Sequence, residues 1–215
     1  MKYYPLCLDI SGKKCVVVGG GKVAERKVRR LLESGACVEV VGKELTPQLS
    51  AWKGEGRIVH CDSLYEDGCL AGASLVIGAT NDGDVNCNIA QDARRRGIPV
   101  NIVDDPAQCD FILPSVVEQG DLQILVSTGG KSPALARKIR EELEGLYGPE
   151  YAVLLSILGE LREKVIAGRS GAGAPEPFTA LVRSEILEAI RREDWVKVKE
   201  AVLSLTGIEM EVKRR

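Results

Sequence analysis

Three consecutive glycines, Gly19-Gly20-Gly21, separate the apolar run Val16-Val17-Val18 from the segment Lys22-Val23-Ala24. Gly19, Gly21 and Ala24 fill the G-x-G-x-x-[GA] positions of a dinucleotide-binding turn. Gly19 permits the tight turn, Gly21 lets the backbone approach a pyrophosphate, and Ala24 keeps the next helix close to its strand. The N-terminus of that helix offers unpaired N–H groups and a partial positive charge to phosphates. Glycine turns also serve plain strand–helix packing. A strand before the turn and a helix after it favour the binding role.

Four other segments carry chemistry. A dinucleotide fold places an acid roughly 20 positions past the glycines, on the adenosine ribose. Here Gly42-Lys43-Glu44 ends the second strand. Glu44 can reach a ribose from the loop, whereas Lys43 could instead meet a 2′-phosphate. Ala79-Thr80-Asn81 closes another strand, with Thr80 and Asn81 expected beside the cofactor, or else Asn81 and Asp82 merely start the next helix. Asp104, in Val103-Asp104-Asp105-Pro106, is either a carboxylate near the reacting ring or part of a strand-end turn. Ser127-Thr128-Gly129-Gly130-Lys131-Ser132-Pro133 contains G-K-S, but Leu125 stands where a P-loop needs its first glycine. That segment is read as a glycine turn into a helix, and Lys131, Arg137, Lys138 and Arg140 make a local anion site. His60, the single histidine, has no partners at metal-ligand spacing, so no metal site is expected. No Ser/His/Asp set suggests a triad.

The elements that must position these residues are legible as a pattern. Strand-like runs at Cys15–Val18, Cys37–Val41, Arg57–His60, Leu75–Ala79 and Val100–Val103 alternate with helical spacing at Val23–Glu33, Thr46–Lys53 and Asp84–Arg96. Such alternation predicts a Rossmann-type α/β domain with a parallel sheet over residues 1–110. Phe111–Val117 and Leu122–Ser127, joined by Glu118-Gln119-Gly120-Asp121, read as an antiparallel hairpin. Ser132 as N-cap and Pro133 at the first helical position start a helix, so 111–147 forms a small α+β segment. Residues 148–215 read as a helical domain. One apolar stripe there runs through Leu154, Leu155, Leu158, Leu161 and Val165. A second takes in Leu181, Val182, Ile186, Leu187 and Ile190, and a third Trp195, Val198 and Val202. Gly168–Pro177 is expected to be a linker, and Lys213-Arg214-Arg215 a solvated tail.

Bulk composition excludes several classes. The 215 residues are 45% hydrophobic and 28% charged, with a formal net charge of −2. That balance points to neither nucleic acid nor a membrane surface. No run approaches the ~18 apolar residues of a membrane span, and Met1-Lys2-Tyr3-Tyr4-Pro5 does not open a signal peptide. The seven cysteines are scattered without a C-x-x-C, which fits reduced thiols in a cytoplasmic protein. Cys15 and Cys37, within apolar strand patterns, are expected to be buried.

Taken together, Val17–Lys27, Ala79-Thr80-Asn81-Asp82, Asn101–Asp104, Phe111–Ser115 and Ser127–Ala136 resemble the dehydrogenase module of the siroheme-synthase family. The resemblance implies a precorrin-2 dehydrogenase that uses NAD⁺ to make sirohydrochlorin. Some members also insert Fe²⁺ as a second substrate, and others lack that activity. It further implies a homodimer built on residues 111–145. Asp104 matches the catalytic aspartate of the family, and Lys22, Val23, Lys43 and Glu44 match its cofactor contacts. Lys131, Arg137, Lys138 and Arg140 then become a rim for the substrate's carboxylates. Thr128 stands where one member has a regulatory phosphoserine. A non-catalytic NAD-sensing module is the rival reading; it leaves Asp104 and Gly129-Gly130 without a role.

Overall fold

The computed structural model describes residues 2–167 and 176–211. One compact unit runs to Leu113 and a second starts at Pro114. Residues 168–175 of the expected linker, and the tail Lys213-Arg214-Arg215, lie outside the described residues.

The first unit contains strands β1 (Lys14–Val18), β2 (Cys37–Val41), β3 (Ile58–Cys61), β4 (Leu75–Gly78) and β5 (Val100–Ile102), with helices α1 (Lys22–Glu33), α2 (Pro47–Gly54) and α3 (Gly83–Arg95). The strands form one sheet in the order β3-β2-β1-β4-β5, and every pairing is parallel. All five carboxyl ends therefore open on one edge. The strand order reverses beside β1, where such sheets hold their ligands.

Alternation along each strand sends side chains to opposite faces. Cys15 and Val17 meet Ala24, Val28 and Leu31 of α1 together with Leu49 and Trp52 of α2. Val16 and Val18 meet Ile89, Ala90 and Ala93 of α3. Both faces are covered, so the strands read as continuous apolar runs. Thr46 caps α2 by accepting from the Leu49 N–H at 3.2 Å, and Asp82 caps α3 through Asp84 and Val85. Gly35, after α1, takes a φ of 74°. Cys15 is buried, but Cys37 is exposed, because it opens β2 at the edge opposite the glycine turn.

The second unit opens with the antiparallel strands β6 (Ser115–Gln119) and β7 (Leu122–Val126). The hairpin turn is only Gly120-Asp121, since Glu118 and Gln119 pair with Gln123 and Leu122. Strand β6 starts later than the expected Phe111. Pro114 has no N–H for a ladder, and Phe111 instead packs against the core that α1 and α2 share with the sheet. Helix α4 (Pro133–Leu146) follows, then α5 (Glu150–Ala167), α6 (Glu176–Arg183), α7 (Ile186–Arg191) and α8 (Trp195–Thr206). Ser132 caps α4 by accepting from the Leu135 N–H at 3.2 Å. Leu154, Ile157, Leu161, Leu181, Ile186, Ile190, Val198 and Val202 close the helical core. The stripe through Val182 and Leu187 is broken at Ser184-Glu185, and Val182 turns out to solvent.

Candidate functional site

The parallel sheet brings four chain segments to one edge. After β1 the chain turns at Gly19, whose N–H donates to the Val41 carbonyl at 2.8 Å. Gly19 takes a φ of 116°. A Cβ there would collide with the Ala79 carbonyl, and one on Gly20 would collide with the Glu44 carbonyl. A Cβ on Gly21 would meet nothing within 4 Å. Gly19 and Gly20 are thus required by the fold, while Gly21 faces open space.

Gly21 is the N-cap of α1 and offers no side chain to its first turn. The first helical bond runs from the Glu25 N–H to the Gly21 carbonyl at 2.9 Å. The N–H groups of Lys22, Val23 and Ala24 precede it and are left for a ligand. Partial positive charge and an open approach suit this turn to a pyrophosphate.

The β2 exit is tied down over that turn. His60 bridges Lys53 and Gly42, its Nδ1 lying 3.0 Å from the Lys53 ammonium and its Nε2 lying 2.7 Å from the Gly42 carbonyl. The ammonium can only donate, so Nδ1 accepts and Nε2 carries the proton. His60 is thereby a loop clamp. The Thr46 N–H returns to the Gly20 carbonyl at 3.0 Å. Between these anchors Lys43 and Glu44 are exposed.

Glu25 fixes the same junction from within α1. Its carboxylate is buried and accepts from the Lys22 ammonium at 3.3 Å, with Arg29 at 3.7 Å. The Thr46 hydroxyl, donating to it, is the main cause that holds its pKa below the ordinary 4.5; burial opposes, and Lys22 and Arg29 assist. No sequence motif marks this residue.

At the β4 exit, the Thr80 hydroxyl donates to Asn86 Oδ1 at 2.9 Å, and Asn86 Nδ2 donates to the Thr80 carbonyl at 3.1 Å. Thr80 is therefore occupied in a local lock, whereas Asn81 is exposed. Asn86, a buried polar residue on the inner face of α3, carries this lock.

Asp104 follows β5. It is exposed and holds a left-handed φ of 62°. An L-residue avoids that conformation at a cost of about 1–2 kcal/mol, so the surroundings must impose it. Val103 before it donates to the Gly78 carbonyl at 2.9 Å. Cys109 after it accepts from the Ile102 N–H at 3.2 Å and faces the Ile102 and Asp105 carbonyls at 3.1 and 3.2 Å. Asn101 completes the clamp through the Phe111 carbonyl at 2.9 Å. Asp105, not Asp104, forms the turn, accepting from Ala107 N–H and Gln108 Nε2. The carboxylate of Asp104 is left for other work.

The remaining candidates lie in the second unit. Gly129 and Gly130 have φ of 63° and 83°, and the Thr128 hydroxyl oxygen accepts from the Ser132 N–H at 3.0 Å. Arg137 pairs with Glu141 at 2.9 Å, Lys138 with Glu142 at 3.7 Å, and Arg140 with Glu144. These i,i+4 pairs neutralise most of the expected basic rim. They were visible in the sequence as Arg or Lys followed four residues later by Glu. Lys131 is exposed without such a pair. Among the described residues no cluster of three or more His, Cys, Asp or Glu could hold a metal ion.

Comparison with known proteins adds a family context. Residues 6–115 match the family described as "Putative NAD(P)-binding". Residues 119–146 match the one described as "Sirohaem biosynthesis protein central". Siroheme synthase of Methylobacillus flagellatus is 44% identical over 165 residues, which are 77% of this chain and 35% of that protein. Siroheme synthase 1 of Aeromonas salmonicida is 36% identical over 218 positions, covering 99% of this chain and 47% of that protein. The chain thus spans less than half the length of these relatives. The solved structure of SirC, a precorrin-2 dehydrogenase, superposes with a TM-score of 0.75 at 25% identity, covering 96% of this chain and 100% of that one.

Two outcomes follow from the geometry. Gly20→Ala should lower stability by about 1–3 kcal/mol through overpacking, whereas Gly21→Val should melt with the parent and lose NAD⁺ affinity in calorimetric titration. Parental affinity in Gly21→Val would contradict a pyrophosphate at this turn. The second concerns acid. Glu25 has a depressed folded pKa, so its contribution is complete above pH 4.5 and is lost as pH falls below that value through the folded pKa. Glu25→Gln should therefore show a shallower loss of stability than the parent in that acid window, measured by urea unfolding at stepped pH.

Proposed function

The chain belongs to this NAD(P)-binding family, and on that premise we propose that it is an NAD⁺-dependent precorrin-2 dehydrogenase of siroheme biosynthesis. One observation carries the reading: the parallel sheet sets an open, N–H-rich glycine turn and an unoccupied carboxylate, Asp104, on the same edge.

The residues present fit the cofactor. The N–H groups of Lys22, Val23 and Ala24 bind the pyrophosphate, and the open space at Gly21 admits it. Glu44 reaches the adenosine ribose from the clamped β2 exit, with Lys43 beside it. Asn81 lines the cofactor from the β4 exit, and Thr80 shapes that exit through Asn86. When bound, NAD⁺ supplies a hydride acceptor.

Oxidation of precorrin-2 to sirohydrochlorin removes a hydride and a proton. Asp104 takes the proton as general base. Its left-handed backbone is held from both sides by Val103 and Cys109, and Asp105 satisfies the turn in its place, so its carboxylate is not used there. The carboxyl edge of the sheet is where substrate must lie to reach both groups. Lys131, Arg137, Lys138 and Arg140 contribute a carboxylate-binding rim only where their glutamate partners yield, so Lys131 is its main cation.

Residues 111–147, with the hairpin and α4, serve as the homodimerisation segment. Leu113, Leu125, Leu135 and Leu146 expose large apolar side chains there, and a two-stranded hairpin is marginal by itself. The cysteines are free thiols, which suits a cytoplasmic setting. Fe²⁺ insertion into sirohydrochlorin, with the metal as substrate, is a second activity to assay at the same edge.

Asp104→Asn should lose at least about 10²-fold in precorrin-2 turnover, the lower end of general-base contributions, while NAD⁺ affinity stays parental. Near-parental anaerobic turnover would return Asp104 to the role of a turn residue. Iron chelation by the same variant separates the activities: loss places both at one carboxylate, retention divides them. Light scattering at micromolar concentration should report a dimer, and a monomer there would rule out residues 111–147 as a dimerisation segment.

A further inference from the structure

Helix α1 carries five basic residues between Lys22 and Arg30, and they are not alike. Lys22 and Arg29 pair with Glu25, and Arg30 pairs with Glu33. Arg26 is exposed. Lys27 is half-buried and makes no hydrogen bond or ion pair among the described residues. It lies three residues after Ala24 and four before Leu31, both buried in the core, so its stem runs along the inward stripe of the helix.

Helical side chains lean toward the N-terminus. The Lys27 stem therefore points back toward the glycine turn and the carboxyl ends of the strands. Ala24, Val28 and Leu31 of that stripe belong to the core cluster against which Val103 and Phe111, which flank the Asp104 loop, also pack. Charge interactions agree with this placement. Burial is the main influence pushing the ammonium pKa down, Arg26 adds to it, and Cys109 and Asp104 push it back up.

Asp104 acts on this ammonium without forming an ion pair with it, so the partly desolvated charge still gains from an anion that makes direct contact. The pyrophosphate has its own donors in the first turn of α1. The other anions arriving at Asp104 are the peripheral carboxylates of the tetrapyrrole. We propose that Lys27 is a substrate-binding residue whose ammonium takes one of these carboxylates and holds the macrocycle against Asp104. This rests on the dehydrogenase reading above and names a subsite within it.

The test compares the parent with Lys27→Met and Lys27→Arg. Sirohydrochlorin binding is followed by fluorescence, and precorrin-2 oxidation by anaerobic steady-state kinetics. Lys27→Met should weaken sirohydrochlorin binding and raise the precorrin-2 KM by about 10–100-fold, the scale of a lost charge-assisted hydrogen bond. Its kcat and NAD⁺ affinity should stay within about threefold of the parent, and Lys27→Arg should recover most of the loss. Binding should also fall less steeply with salt in Lys27→Met than in the parent. Parental KM and sirohydrochlorin affinity in Lys27→Met overturn the subsite. A fall in kcat at parental KM overturns it too, since Lys27 would then act on Asp104 rather than on substrate. Should the parent bind sirohydrochlorin through Lys27 and yet oxidise no precorrin-2, the subsite stands and the dehydrogenase reading falls.

Discussion

The backbone of Gly20 lies so close to the Glu44 carbonyl that no side chain fits between them, and Gly19 stands in the same relation to Ala79. These two approaches pull the exits of β2 and β4 onto the exit of β1. Everything at the ligand edge depends on that closure. The bonds from Gly19 to Val41 and from Thr46 to Gly20 are its hydrogen-bonded expression, and His60 and Glu25 hold its outer and inner sides. A larger residue at either glycine would separate the strand exits before it touched a ligand.

Polar groups around the edge divide into those spent on building it and those left over. Thr80, Asn86, Asp82, Asp105 and Cys109 all find partners within a few residues of a strand end. Their work is to hold loops that no ladder supports. Asp104, Asn81, Lys43 and Glu44 remain exposed, and the first-turn N–H groups of α1 remain open. Buried polar groups without partners are unfavourable, so a site keeps its reactive groups at the rim and satisfies the layer beneath. Lys27 departs from that rule, because it is half-buried while its ammonium makes no hydrogen bond or ion pair among the described residues, and Asp104 acts on it only at longer range.

Charge in the second unit follows a different logic. The cations of α4 face glutamates one turn on, an arrangement that supports a solvated helix. Exposed pairs of this kind contribute only about 0–1 kcal/mol each, so an incoming carboxylate can compete for them at little cost. A cation already half-desolvated beside the sheet edge interacts with an anion more strongly than a solvated one.

Local chemistry in the sequence was enough to determine the order of strands and helices, the glycine turn, the Ser132–Pro133 helix start and the position of Asp104 at a strand end. Strand β2 is Cys37–Val41 both by pattern and in the fold, since an apolar run closed by glycine has few alternatives. Segment-local signals stop there. Which glycine the fold requires was decided by Glu44, a residue 24 positions beyond Gly20, because only folding brings that carbonyl to the turn. Burial of Glu25, exposure of Cys37, the Asn86 lock and the Cys109 clamp likewise depend on partners from other elements. The charge pairs of α4 were legible by spacing, but the solitary state of Lys27 was not. Periodicity tells which face of a helix turns inward; only packing decides what stands opposite it.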